Sequence, residues 1–212
     1  MAVYKLTEQL AFPDPREGDP DGLIAVGGDL EIDRLLLAYW NGIFPWPDTE
    51  NCLLWFCPMQ RFVIFPSEIH ISHSMRNFMR NTDLVVTMNQ AFGDVVHNCR
   101  IMREGETWIY DDIEKAYNEL HNQELAISVE VWDEDTLVGG LYGVSLGRVF
   151  VGESMFSKVP NASKLALIML ANCMEAIDGL IDCQMETPHL KSMGGRYISY
   201  DEYMEILRRV PE

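Results

Sequence analysis

Three neighbouring segments, Ala126 to Trp132, Thr136 to Val144 and Arg148 to Val151, alternate like half-buried strands and are separated by turn signals at Asp133-Glu134-Asp135 and Gly147. Period-two alternation broken by short polar turns specifies an antiparallel meander, because a one-residue slip would turn every apolar side chain to solvent. The meander is read as ending at Gly152-Glu153-Ser154-Met155-Phe156-Ser157, a small-residue turn that presents Glu153. Asn161 or Ser163 can then cap a helix whose apolar positions Leu165, Leu167, Ile168, Leu170, Ala171 and Met174 run to a stop at Gly179, and a strand follows from Leu180 to Gln184. Meander, helix and strand in that order require a helix laid across a mixed sheet, an α+β architecture with helices on both faces.

The first sixty residues differ in texture. Pro13, Pro15, Pro20, Pro45, Pro47 and Pro58 bracket one helix from about Ile32 to Trp40, which reads as a small loop-rich N-terminal domain over 1–60. From Arg61 the pattern becomes strand (Phe62 to Phe65), helix (about Ser72 to Met79), strand (Leu84 to Met88), helix (about Gln90 to Arg100) and helix (about Tyr110 to Asn122), so that 61–212 reads as one mixed-sheet domain.

Composition narrows the function classes. The chain has no apolar run of about 18 residues and no basic stretch leading into an apolar one near its start, so neither a membrane span nor a secretory signal is expected, and a cytoplasmic address follows. Five cysteines without a C-x-x-C pair argue for reduced thiols rather than a disulfide framework or zinc ribbon, and His70 with His73 lacks a third ligand, so no metal is expected. The net charge of −17 opposes broad phosphate binding. Eleven acids and one base, Lys115, fall between Glu104 and Asp135, whereas Arg76 with Arg80, and Arg100 with Arg103, share helix faces. Each arginine is open to two readings, a solvated or paired surface group or a phosphate contact.

The chemistry-bearing residues cluster at the strand ends. Glu153 closes the meander, and Asp182 and Gln184, two apart on a strand, lie on one face, so two carboxylates and an amide meet at adjacent strand ends. That combination suits chemistry on an acyl group. Cys183 with His189 is the rival nucleophile, but alternation turns Cys183 to the opposite face, where a thiol packs as a small hydrophobe. Ser154 and Ser157 lack a His/Asp arrangement.

Ordered matches along nearly the whole chain resemble the leucyl/phenylalanyl-tRNA protein transferases: Gly22 through Leu30, Tyr39 through Gly42-Ile43-Phe44-Pro45-Trp46, Trp55-Phe56-Cys57-Pro58 with Arg61, and Thr107-Trp108-Ile109. They continue through Ser128-Val129-Glu130, Gly139 through Val144, Gly152 through Ser157, Ala162-Ser163-Lys164, Asp182-Cys183-Gln184 and His189-Leu190. The family more often carries His at the position of Ile127, Ser at that of Cys57 and Pro at that of Gln60. The resemblance implies transfer of Leu or Phe, with Met a further candidate donor, from aminoacyl-tRNA to the N-terminal α-amino group of proteins beginning with Lys or Arg, marking them for degradation. It gives Gln184, Asp182 and Glu153 the catalytic positions, and places an apolar pocket for the aminoacyl side chain at Leu141, Leu167, Leu170 and Met174. It also makes Trp46 and Trp108 stacking partners for the terminal adenosine, and with tRNA as donor the helix-face pair Arg76 and Arg80 is the expected contact to it.

The order of elements is similar to that of the acyl-CoA N-acyltransferase (GNAT-like) superfamily. The pyrophosphate-binding Arg/Gln-x-x-Gly-x-Gly/Ala string is absent, however, and the helix start carries Val159-Pro160-Asn161-Ala162, where Pro160 has no N–H to offer a phosphate. Coenzyme A is therefore not expected. A non-catalytic adaptor that binds aminoacyl-tRNA or basic N-terminal peptides remains the alternative of a different class.

Overall fold

The computed structural model describes residues 3–49, 52–103 and 107–209. Glu104 and Glu106, the first carboxylates of the acidic stretch, lie outside them, as does Val210. The chain begins with β1 (Tyr4–Leu6), β2 (Leu23–Gly27), α1 (Ile32–Tyr39), β3 (Phe44–Pro45) and β4 (Leu54–Phe56), and four of these form a small sheet in the order β1-β2-β4-β3. A larger seven-stranded sheet starts with β5 (Gln60–Ile64). Next come α2 (His73–Asn81), β6 (Val85–Met88), α3 (Phe92–Ile101), α4 (Asp111–Asn122), β7 (Ala126–Asp133), β8 (Thr136–Leu146) and β9 (Val149–Ser157). The chain closes with α5 (Ala162–Glu175), β10 (Leu180–Asp182), α6 (Pro188–Ser192), β11 (Arg196–Ser199) and α7 (Tyr200–Leu207). The protein is thus a mixed α/β molecule with a small N-terminal sheet.

The large sheet runs β11-β5-β10-β9-β8-β7-β6, and β9 with β10 is its parallel pair, joined through α5. Alternation along β8 divides two cores. Leu141 packs beneath α5 with Leu167, Leu170 and Met174, whereas Tyr142 and Val144 face α3, α4 and the N-terminal residues Tyr39, Phe44 and Trp55. The small sheet and the large one therefore share a core, and burying each such apolar side chain contributes about 1.5–3 kcal/mol.

Three local expectations change. Gly152 to Ser157 is not a turn: β9 runs through it to Ser157. The strand at 180 stops at Asp182 rather than Gln184, because Gln184 has φ +63° and leaves the extended region. Asn161 precedes α5 in a left-handed conformation (φ 71°) with no side-chain cap, and the Ser157 hydroxyl instead accepts the N–H of Ser163 at 3.2 Å. The Pro-rich start conceals four short strands because each is only two to five residues long, too short for a periodic signal.

Candidate active site

Two irregularities open a cleft in the sheet. β10 pairs with β9 only as far as Asp182 opposite Val151, so among the described residues the second half of β9 has no strand on that side. On its other side β9 is bulged: Gly152 faces Gly143 and Ser154 faces Tyr142, leaving Glu153 as the extra residue. A bulge re-aims the side chain it carries. It depends on Gly143, where a Cβ would stand 2.1 Å from the Val151 carbonyl oxygen and 2.6 Å from the Phe150 ring.

Glu153 points from this bulge into a cavity of about 450 Å³. The apolar wall is formed by Leu141, Phe150, Met155, Leu167, Leu170 and Ile181, and the opposite wall by Trp46, Trp108 and Arg103. Trp46 follows β3 in a loop and stands edge-on to Phe56, while Trp108 lies in the loop before α4, so the N-terminal segment and the α3–α4 connection together close one side.

The Glu153 carboxylate is 8% exposed and is held from three directions. Tyr39 donates its hydroxyl proton to Oε1 at 2.7 Å, the Tyr39 and Tyr117 hydroxyls are hydrogen-bonded to each other, and the Gln184 amide approaches Oε1 at 3.4 Å. Burial pushes the Glu153 carboxyl up to about 7, against the pull of the two tyrosine hydroxyls. A carboxylate so poised exchanges protons near neutrality.

Asp182 lies behind the cavity wall, fully buried. Its Oδ1 accepts the Gln184 backbone N–H at 2.8 Å, and its Oδ2 is 3.0 Å from Nε of the equally buried Arg61. Burial raises its pKa, while Arg61 and the Gln184 N–H pull the other way. Arg61 also donates to the Gly42 carbonyl at 2.6 Å and lies against the rings of Phe44 and Tyr203. Asp182 therefore fixes the left-handed turn at Gln184 through the backbone, a local Asx-type contact.

This geometry corrects the expectation that Asp182 and Gln184 share a face with Cys183 behind them. The turn at Gln184 breaks the alternation, so Cys183 and Gln184 both line the cavity and Asp182 does not. Burial drives the Cys183 thiol far above its ordinary range, which keeps it protonated and a poor nucleophile. His189 is also at the cavity wall, and burial and the nearby Lys164 push its imidazole towards the neutral form.

Of the other expected site residues, Leu141, Leu167, Leu170, Trp46 and Trp108 line the cavity together, but Met174 does not: it packs in the core against Gly179. Arg76 and Arg80 stay exposed on α2, outside the cavity lining. Arg100 is taken up by Glu114 at 3.0 Å and by Asp111, whereas Arg103 reaches the Ser154 hydroxyl at 3.1 Å. Tyr117, Arg103 and the Arg61 partner of Asp182 were not singled out as site residues by sequence reasoning. Tyr39 and Arg61 carried a signal as members of matched motifs, and Arg103 as one of a helix-face pair open to a phosphate reading. Among the described residues no group of three or more His, Cys, Asp or Glu is arranged to hold a metal, and no helix is long and apolar enough to cross a membrane.

Residues 63–208 match the family model described as leucyl/phenylalanyl-tRNA protein transferase, and residues 28–59 match the model of that enzyme's N-terminal domain. The chain belongs to the leucyl/phenylalanyl-tRNA protein transferase family. Proteins of that name from Flavobacterium psychrophilum, Syntrophobacter fumaroxidans and Pectobacterium carotovorum are 49%, 48% and 47% identical to it, covering 98%, 100% and 98% of this chain and 100%, 93% and 90% of their own. A solved protein of unknown function from Bacteroides thetaiotaomicron overlays with a TM-score of 0.45 at 12% identity, over 88% of this chain and 65% of that one.

Proposed function

We propose that this transferase moves Leu or Phe from aminoacyl-tRNA to the α-amino group of proteins beginning with Lys or Arg, in the cytoplasm, and so marks them for degradation. The observation that carries the reading is an apolar cavity that ends on a carboxylate and an amide, Glu153 and Gln184, beside two tryptophans. The apolar wall takes the aminoacyl side chain, and Trp46 and Trp108 are read as the platform for the terminal adenosine.

The ester is already activated, so the protein has to align the amine and stabilise the tetrahedral oxyanion. An α-amino group titrates near ~8, so a useful minority of it is already neutral at cytoplasmic pH. Because the Gln184 amide nitrogen faces Glu153, its carbonyl oxygen is left to accept a hydrogen bond from the incoming amine. The amine nitrogen attacks the ester carbonyl carbon, the C–O bond to the tRNA ribose breaks, and the amine's proton passes by way of Glu153 to the departing ribose oxygen. Asp182 acts through the Gln184 backbone.

We read the 61–212 portion as a GNAT-like catalytic domain and 1–60 as its N-terminal cap, with aminoacyl-tRNA in place of coenzyme A. The parting of the parallel pair β9 and β10 supports that assignment. Arg76 and Arg80 are read as contacts to the tRNA body. The experiment is direct: incubate the protein with charged Phe-tRNA or Leu-tRNA and a peptide beginning with Arg or Lys, then weigh the peptide. A gain of one Phe or Leu residue is expected. Binding of both substrates without a mass gain would instead identify a non-catalytic adaptor.

A further inference from the structure

Tyr39, Tyr117 and Glu153 come from three elements, α1, α4 and β9, and meet in a buried chain of oxygens, with exposures of 1%, 0% and 8%. Each tyrosine has one proton to donate. If Glu153 is a carboxylate it can only accept, so Tyr39 gives its proton to Oε1 and Tyr117 gives its own to Tyr39 or to the carboxylate. All hydrogens are then used. A protonated Glu153 can still accept the Tyr39 proton on its uncharged oxygen, but a hydrogen bond to a carboxylate is roughly twice as strong as one to a neutral acceptor. The two hydroxyl donors therefore favour the charged form of Glu153.

We propose that the Tyr117 and Tyr39 hydroxyls form a hydrogen-bond relay that favours Glu153 as a carboxylate aimed into the cavity, making both tyrosines positioning residues for aminoacyl transfer. The inference rests on the reading of Glu153 given above. The other groups around Glu153 do not replace the relay. Gln184 contributes a long 3.4 Å contact from beyond β10. Asp182 from β10 repels the carboxylate, and Arg61 from β5, bound to Asp182, attracts it from behind. Arg103 is engaged with Ser154, and the buried Tyr142 hydroxyl from β8 makes no hydrogen bond among the described residues. Among the described residues only the relay donates from the helix side, against the desolvation that pushes Glu153 towards its neutral form.

The test compares kcat/KM against pH, with Phe-tRNA and an Arg-initiated peptide, for the wild type, Tyr39→Phe, Tyr117→Phe and Glu153→Gln. A second readout in the free enzyme is the infrared band of the protonated Glu153 carboxyl, recognised by its loss in Glu153→Gln. Removing a donor to the charged form raises the pKa, so in both phenylalanine variants the acidic limb and the infrared midpoint should move up by about half a pH unit or more. Tyr117→Phe, one step from the carboxylate, should recover most of the wild-type rate at high pH. A constant loss of rate at every pH with the infrared midpoint unmoved would overturn the relay. Because the free peptide amine gives every variant an acidic limb near ~8, it is a limb unchanged in position and steepness in Glu153→Gln that would overturn the assignment of Glu153 to the reaction, while the infrared midpoints would still decide the relay. The infrared arm also decides the matter should Tyr39→Phe fold poorly, since Tyr117→Phe alone must show the shift.

Discussion

Arg61 and Asp182, both removed from solvent, face each other at 3.0 Å directly behind the turn that presents Gln184. The pair ties β5 to β10, and Asp182 spends its other oxygen on the Gln184 N–H, so one carboxylate serves both the core and the site.

Asp182→Ala leaves the Arg61 cation buried without its partner and should destabilise the fold by about 3–5 kcal/mol. The double variant Arg61→Met with Asp182→Leu should recover most of that loss in a urea titration. It should not recover transfer, because the Gln184 turn has lost its anchor. Recovery of both together would show that Asp182 matters to the reaction only through folding.

Glu153 titrates near 7 in the folded protein against the usual 4.5, its ionised form being disfavoured by burial. Between those pH values the folded state holds a proton that the unfolded chain has released, so this group's contribution is full below about 4.5 and falls as pH rises through 7, by about 3 kcal/mol in total. Urea midpoints at pH 5 and pH 8 should therefore differ more for the wild type than for Glu153→Gln. Equal pH dependence in the two proteins would contradict a buried, high-pKa Glu153.

Gln184 sits at φ +63°, which strains a non-glycine residue by about 1–2 kcal/mol. Gln184→Gly should keep or raise the melting temperature while cutting turnover more than about tenfold, since it relieves the backbone but removes the amide. A variant that retained turnover would exclude the side chain from the reaction.

Leu170 lines the apolar wall from α5. Leu170→Trp should reduce use of Phe-tRNA more than Leu-tRNA, because the larger donor side chain loses its room first. An equal loss with both donors and a lowered melting temperature would make Leu170 a core residue only.

Arg76 and Arg80 are exposed on α2 of a chain with net charge −17. Replacing both with Ala should weaken tRNA binding and flatten an already shallow salt dependence. A wild-type slope equivalent to roughly six or more phosphate contacts would reveal a larger basic surface than these two residues supply.

The long elements were legible because their periodicity spans enough residues to be unambiguous. The meander of β7 and β8, the α5 stripe and helices α1 to α4 fall within a few residues of where the pattern puts them. The residues at the cleft were legible too, as Glu153, Gln184, Trp46, Trp108, Leu141, Leu167 and Leu170 all reach one cavity. Met174 was misplaced because the stripe Leu167, Leu170, Met174 is longer than the cavity, and its last member passes into the core.

What the sequence determined by itself is the longer strands and helices, α1 and those from β5 through β10, and the residue types brought to the strand ends, since these follow from local periodicity and turn chemistry, whereas the short strands β1 to β4 and the C-terminal α6, β11 and α7 did not show. Which way those residues point was decided only by tertiary structure. The bulge that turns Glu153 inward needs β8 to lie against β9 with Gly143 opposite, and the left-handed Gln184 that reverses Cys183 and Asp182 needs a buried carboxylate held by Arg61. Tyr39 and Tyr117 meet Glu153 from positions 114 and 36 residues away along the chain. No local pattern encodes such a meeting, because it exists only once the shared core has brought α1 and α4 onto the face of β9.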